Sequence, residues 1–314
     1  MKKLLLSLLC FLTVSVASAQ EEEWTRRVLI EEFTTEKCQY CPDAAKGLES
    51  FHKAFPAVAA KTVTICHHAG FGEDWLTIPA DYEYLWLYGG STYAPAFMWD
   101  RYHFDDNEKS LTSPVEGRPS GPAGHKKKVQ TRLDIAPEVK IDLAASFNDA
   151  GNKIIVTVNC KTKKDFSANP ARLTVFVTED NIPEHYQQGT SEKFIHQHVG
   201  RAVNETWGAE LSWDDSNEAA YSYTFDVNAN WKKEDLKVVA FVSCYDQFNV
   251  GNCVVENATD VVPADPTGIE EANTTREVRE LARYSLDGRQ LSQPESGVNI
   301  VRLSDGKIVK VAVR

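Results

Sequence analysis

The stretch EEFTTEKCQYCPDAA, residues 31 to 45, constrains the fold of this chain more than any other. Its centre is the pair Cys38 and Cys41, followed at once by Pro42. The apolar run VLIEEF (28 to 33) leads in with strand character, and DAAKGLESFHKAF (43 to 55) leads out with helical spacing. Strand, short loop, two cysteines and a helix start make the layout of a dithiol redox site. Pro56 is expected to end that helix. KTVTIC (61 to 66) then reads as a second, buried strand parallel to the first, which completes a βαβ unit.

The compartment decides what two such cysteines can do. Lys2 and Lys3, the apolar run LLLSLLCFLTVSV and Ala17-Ser18-Ala19 have the form of a signal peptide over residues 1–19, with Gln20 as the mature N-terminus. No other stretch is apolar enough to span a bilayer, so no integral membrane span is expected. An exported protein works where disulfides persist. Without Lys2 and Lys3, 32 basic residues face 45 acidic ones. That excess of negative charge argues against nucleic acid or anionic lipid as the main partner.

Beyond the second strand, HHAGFGEDWLTIP (67 to 79) reads as a loop and ADYEYLWLYGG (80 to 90) as a short helix stopped by its glycines. A strand follows around Phe97 to Trp99, then a polar loop from Asp105 to Gly124, and a helix over HKKKVQTRLDIA (125 to 136). After Pro137 the pattern changes. VKIDLAASFN, NKIIVTVNCKT, ARLTVFVTED, AYSYTFDVN and LKVVAFVSCYD are alternating or β-branched runs separated by turns, as in an antiparallel β-sandwich. An insertion from Ile182 to Leu211 reads as a loop lying across it. The expected organisation is a first domain at 20–136, a β-sandwich at 137–262, a polar linker at 263–282 and a small β-rich tail at 283–314. The fold class is thus α/β plus all-β.

A thiolate, not a thiol, attacks a disulfide, so a catalytic dithiol needs one cysteine of lowered pKa. A helix start supplies the field for it. By that logic Cys38 is the nucleophile and Cys41 the resolving residue. Alternation along the strand puts Val28, Ile30 and Glu32 on one face and Leu29, Glu31 and Phe33 on the other. A buried Glu32 carboxyl would have a raised pKa and could exchange protons with Cys41. C-x-x-C can also be a non-catalytic disulfide or half a zinc site. The zinc reading needs a second knuckle, which the sequence lacks, so neither metal nor cofactor is expected. His67-His68 with Cys66, and the alternating His196 and His198, are the residues that would have to supply ligands. Cys244 and Cys253 bracket YDQFNVGN and read as a staple across a hairpin loop, while Cys66 and Cys160 read as buried apolar residues.

Strand, acid, C-x-x-C-P, helix and a later strand entered through a proline together resemble the thioredoxin superfamily over residues 28 to about 136. The resemblance implies that Glu32 is the buried acid six residues before the first cysteine. It also implies that Pro95, within Tyr93-Ala94-Pro95-Ala96-Phe97, is a cis-proline presenting backbone to a substrate peptide. The chain departs from that pattern in its CQYC motif, in Lys37 before the first cysteine, and in a longer aromatic-rich segment before Pro95.

VLIEEFTTEKCQYCPDA followed by LTVFVTEDNI, HQHVGR and LKVVAFVSCYD…VVENA resembles the Omp-twenty-eight-related outer-membrane protein family over residues 24 to 262. That implies a Gram-negative bacterium and a place in the periplasm, outer membrane or cell surface. RYSLDGRQLSQPESGVNIVRLSDGKIVKVAVR is similar to the C-terminal sorting domain of type IX secretion, which export machinery reads. Two functions are expected from these features. The first is an exported thiol-disulfide oxidoreductase acting on protein thiols and disulfides through Cys38, Cys41, Glu32 and Pro95. The second is a surface binding or adhesion protein in which Cys38–Cys41 is structural.

Overall fold

A computed structural model of the chain describes residues 24–108, 110–183, 186–265, 280–285, 290–291, 293–303 and 308–313. The signal peptide expected over 1–19 and most of the expected linker lie outside the described residues.

Strand β1 (Val28–Thr34) is followed by helix α1 (Cys41–Ala54), helix α2 (Pro56–Ala59) and strand β2 (Thr62–His68). β1 and β2 are parallel, with Glu32 opposite Cys66. Helix α1 forms because Pro42 suits its first turn and Asp43 faces its positive end, while His52 and Lys53 sit at the negative end. Its buried residues Cys41, Ala44, Leu48 and Phe51 recur at helical spacing and face the sheet. Pro56 does end α1, but it also starts α2, since a proline costs nothing at a first helical position.

Next come α3 (Pro79–Tyr84), a 3-10 turn at Leu85–Tyr88, β3 (Ala96–Trp99), β4 (Glu116–Gly117) and α4 (Gly121–Leu133). Gly89 stops the 3-10 turn in the left-handed conformation, at φ 62°. Helix α4 starts four residues earlier than its sequence suggests, with Pro122 in its first turn. β5 (Val139–Phe147), β6 (Lys153–Thr162), β7 (Ala171–Glu179), β8 (Ile182–Pro183), β9 (Ile195–His196), β10 (Val199–Val203) and β11 (Ala209–Glu210) follow. β12 (Glu218–Asp226), β13 (Leu236–Cys244) and β14 (Val255–Val261) complete this part.

One nine-stranded sheet runs β14-β13-β7-β10-β2-β1-β3-β4, with β11 attached to β7. A three-stranded sheet, β12-β6-β5, covers part of one face. Strand β6 alternates exposed and buried residues strictly, because one of its faces meets water and the other meets the large sheet. Ile154, Val156 and Val158 pack there with Val175, Val177, Val238 and Val242. Farther along the same sheet, Val28, Ile30, Phe97 and Trp99 pack on α1 and α4 through Leu48, Phe51 and Val129. On the opposite core, Leu29, Phe33 and Met98 share contacts with Phe176, Phe241 and Val255.

The boundary expected at residues 136 and 137 therefore does not separate two cores. The described residues from 24 to 265 form one compact unit. The reason is the Ile182–Leu211 insertion, which is not merely a loop across the sheet. Its strand β10 lies antiparallel to β7 on one side and parallel to β2 on the other. The amide of Cys66 donates to His198 O at 2.7 Å, so the insertion joins the strands of both halves.

The second unit, from Thr267 onwards, holds β15 (Glu280–Ser285), β16 (Gln290–Leu291), β17 (Gly297–Leu303) and β18 (Ile308–Val313). They pair in the order β16-β15-β17-β18, all antiparallel.

Candidate dithiol site and the buried acids of β1

The dithiol loop leaves the end of β1 and enters α1 at Cys41. Cys38 and Cys41 form a disulfide, with Cα atoms 5.5 Å apart. The Cys38 amide donates to Thr35 O at 3.1 Å, which folds the loop back before the helix begins. Gln39 and Tyr40 between the cysteines are exposed, but Cys38 is only 2% exposed and Cys41 only 1%.

The cover comes from the insertion. The Gln187 side chain, itself buried, donates from Nε2 to Cys38 O at 3.1 Å. The Gln188 amide donates to Glu36 O at 2.8 Å. Gly189 lies at φ 89°, and a β-carbon there would come within 1.9 Å of Gln39 O. Only glycine permits so close a backbone approach in that conformation. No expectation from the sequence pointed to Gln187 or Gly189; the glycine within QQGT was the available signal.

Pro95 precedes β3, and the Ala94–Pro95 peptide is cis. The register pairs Phe33 with Ala96, which sets Pro95 at the end of the sheet from which the dithiol loop leaves. Glu32 is buried on the α1 side of β1. Its burial pushes the carboxyl up to about 8, against a hydrogen bond from the Cys66 thiol that lowers it. Cys66 Sγ lies 3.7 Å from Glu32 Oε2, and Glu32 Oε1 has no hydrogen-bond partner among the described residues. Cys66 is Glu32's hydrogen-bonding neighbour; no such bond joins Glu32 to Cys38 or Cys41 among the described contacts.

Glu31, one residue away, meets a different environment. Arg101 donates from Nε and Nη2 to its two oxygens at 2.8 and 2.7 Å. His67 bridges Glu31 and Asp81, with Nε2 3.1 Å from Glu31 Oε1 and Nδ1 3.0 Å from Asp81 Oδ1. Burial would raise the Glu31 carboxyl, yet the Arg101 charge and the bonds from Arg101 and His67 hold it at about 2. Burial also opposes a charged His67, but its two carboxylate partners override this and raise its pKa. Arg101 further lies 4.7 Å from the Tyr84 ring and 5.0 Å from Phe241. This network ties β1 to β2, α3 and β13. The sequence offered only the paired acids and the WDR run as signals for it.

The staple expected between Cys244 and Cys253 is absent: both thiols are free and buried. The sheet keeps them apart. Cys244 belongs to the core under the three-stranded sheet, and Cys253 to the core on the other face. Cys66 and Cys160 are also free and buried, as their strand positions suggest. Among the described residues, no three His, Cys, Asp or Glu side chains are placed to hold one metal ion. No helix among them is long and apolar enough to cross a membrane.

The part from α4 to β14 decides the relationship of this chain to known proteins. Residues 120–262 match the family of outer membrane protein Omp28. The Omp28 resemblance read from the sequence therefore holds on that segment, and the dithiol loop lies ahead of it. The family is one of outer-membrane proteins, in keeping with the exported, envelope or surface location in a Gram-negative bacterium that the sequence implies. HBP35 of Porphyromonas gingivalis aligns with a TM-score of 0.67 at 19% identity, over 93% of this chain and 99% of its own. That is a likeness of fold. A protein of Agrobacterium tumefaciens aligns with a TM-score of 0.49 at 13% identity, over 80% of this chain and 100% of its own. A domain of the outer membrane lipoprotein Omp28 from Porphyromonas gingivalis aligns with a TM-score of 0.29 at 22% identity, over 42% of this chain and 92% of its own. No curated protein matches the chain.

Proposed function

We propose that this Omp28-like protein serves at the cell envelope or surface as a binding or adhesion protein whose Cys38–Cys41 disulfide is structural. The observation that carries this reading is the burial of both cysteines, at 2% and 1% exposed, with Gln187 and Gly189 of the insertion packed on the backbone of Cys38 and Gln39. A nucleophilic thiolate has to reach its target, and both of these cysteines are buried. A thermodynamically resistant disulfide has a reduction potential below about −300 mV, whereas thioredoxin lies near about −270 mV. The expected value for this pair is below about −300 mV. A Cys41→Ser variant is expected to trap no mixed disulfides and to lose about 2 kcal/mol of stability, the chain-entropy value for so short a loop. A potential above that of thioredoxin, with mixed disulfides captured on Cys38, would refute the structural reading.

That outcome would favour a second reading, a thioredoxin-like thiol-disulfide oxidoreductase acting on protein thiols. A specific arrangement supports it: a neutral buried Glu32 on the strand before the dithiol, Cys41 at a helix start, and Pro95 at the same end of the sheet. In that case Cys38 attacks, Cys41 resolves, Glu32 moves protons and Pro95 presents backbone to the substrate. Insulin-disulfide reduction lost in Cys38→Ser would be its signature.

The C-terminal unit is proposed to act as a type IX sorting signal read by export machinery. Its antiparallel strands β15 to β18 support this as a small separate unit. Truncation after Pro266 should leave the protein inside the outer membrane, inaccessible to surface biotinylation. Undiminished labelling of the truncated protein would dismiss that role.

A further inference from the structure

Helix α1, strands β1 and β2 and the segment 194–198 line an open-mouthed cavity of about 110 Å³. Glu32, His52, His68 and His196 all line it. Each has a buried side-chain atom facing no hydrogen-bond partner: Glu32 Oε1 and the Nε2 atoms of the three histidines. Glu32, His68 and His196 are 2%, 1% and 3% exposed, so water outside the cavity does not satisfy them. His196 Nε2 has the Glu36 carboxylate only at 3.7 Å. A buried polar atom without a partner is costly, and four around one space call for an occupant that supplies the missing bonds.

The walls define its chemistry. Ala45, Leu48, Phe194 and Ile195 form an apolar side. The polar side is made by Glu32 and the histidines, with Glu49 at the rim. Burial keeps Glu32 protonated, with a pKa of about 8. Burial and the neighbouring His68 hold His196 down at about 3. Burial likewise depresses His52, helped by His198 and Lys237. Asp74 lies 2.8 Å from His68 Nδ1, and its carboxyl is held at about 2, with burial opposing and the His68 bond favouring the ion. Asp74 thus engages His68 Nδ1, which leaves Nε2 as the His68 ring nitrogen that faces the cavity without a partner. The Glu49 carboxylate at the rim is paired with Lys53 and Asp74 with His68, so a charged ligand would lose its hydration here without a free counter-charge. The cavity is smaller than the apolar one of about 150 Å³ that holds benzene, but it is open on one side, so its limit is a single ring whose far edge lies in the mouth.

We propose that this cavity is a binding site for a small uncharged hydroxyl compound of the size of phenol, its ring against Leu48 and Phe194. The hydroxyl donates to an imidazole nitrogen and accepts from the Glu32 carboxyl. The site is independent of whether the disulfide ever turns over. It also draws together His68, Cys66 and His196, which the sequence presented as separate candidates.

The test is titration of the full chain with phenol at pH 7.5, read by histidine side-chain nitrogen resonances and by calorimetry. Saturable one-to-one binding that moves the His68 and His196 signals is expected. Benzene and benzoate should bind at least about tenfold more weakly, the value of one hydrogen bond to the polar wall. His68→Phe should weaken phenol about tenfold, and Leu48→Trp, or Ala45→Phe should the former not fold, should abolish binding by filling the space. Absence of saturable phenol binding overturns the proposal. So does benzene binding as tightly as phenol, phenol binding that survives the filled cavity, or stoichiometric Zn²⁺ that displaces phenol.

Discussion

Two neighbouring carboxyls on β1 point to opposite faces of the same sheet and meet opposite fates. Glu31 faces Arg101 and His67 and stays ionised, with a pKa of about 2. Glu32 faces the Cys66 thiol and the cavity and stays protonated, with a pKa of about 8. Both are buried, and desolvation acts on both. What differs is whether a cation stands within bonding distance. Burial alone therefore does not decide the charge of an acid; its nearest partner does.

The largest effect expected from breaking this comparison is at Glu31. Glu31→Gln leaves the Arg101 guanidinium buried with one neutral partner, and removing one member of a buried ion pair costs about 3–5 kcal/mol. Urea denaturation at pH 7 measures it. A loss below about 1 kcal/mol would show that Arg101 is not held by this pair.

The pH dependence separates the faces next. Glu31 binds fewer protons folded than unfolded, so its contribution is present above about pH 4.5 and is lost as the pH falls towards about 2. Glu32 binds more protons folded than unfolded. Its contribution is full below about pH 4.5 and is lost as the pH rises through about 8. At pH 7 that opposing cost is on the order of 3 kcal/mol. Glu32→Gln, which stays neutral, should thus gain on the wild type between pH 5 and pH 8. Parallel stability curves for the two proteins would mean that Glu32 titrates normally.

The smallest effect sharpens the Glu32 side. Cys66→Ala removes the donor at 3.7 Å, whose bond favours the ionised carboxyl. Carboxyl titration by NMR should then place Glu32 higher than in the wild type. The stability change should stay near about 1 kcal/mol, the net worth of a hydrogen bond. A lower Glu32 pKa would contradict the assignment of Cys66 as its donor.

Much of this site was legible before any coordinates. Period-two alternation placed Glu31 and Glu32 on different faces, and the cores on the two sides of β1 agree, with Ile30 in one and Phe33 in the other. Pro42 and the spacing of Ala44, Leu48 and Phe51 marked helix α1. The pairing of Cys244 with Cys253 misled because sequence distance says nothing about which sheet face a residue takes after a bulge. The ladder shifts register between Val242 and Ser243, just before Cys244. The unity of the sheet was hidden because β10 has only five residues and pairs with β2 at a single position, Val199 with Cys66.

The sequence by itself determined the local elements: a strand, a dithiol at a helix start, and a series of alternating strands. These follow from nearest-neighbour sterics, side-chain periodicity and proline chemistry, which act within a few residues. Only the tertiary structure decided the charge of each β1 acid, the cover that Gln187 and Gly189 place over the Cys38 backbone, and the gathering of Glu32, His52, His68 and His196 around one cavity. Each of these depends on groups far apart in the chain, brought together by the packing of one continuous sheet, and electrostatics in a buried site answers to distance in space rather than along the sequence.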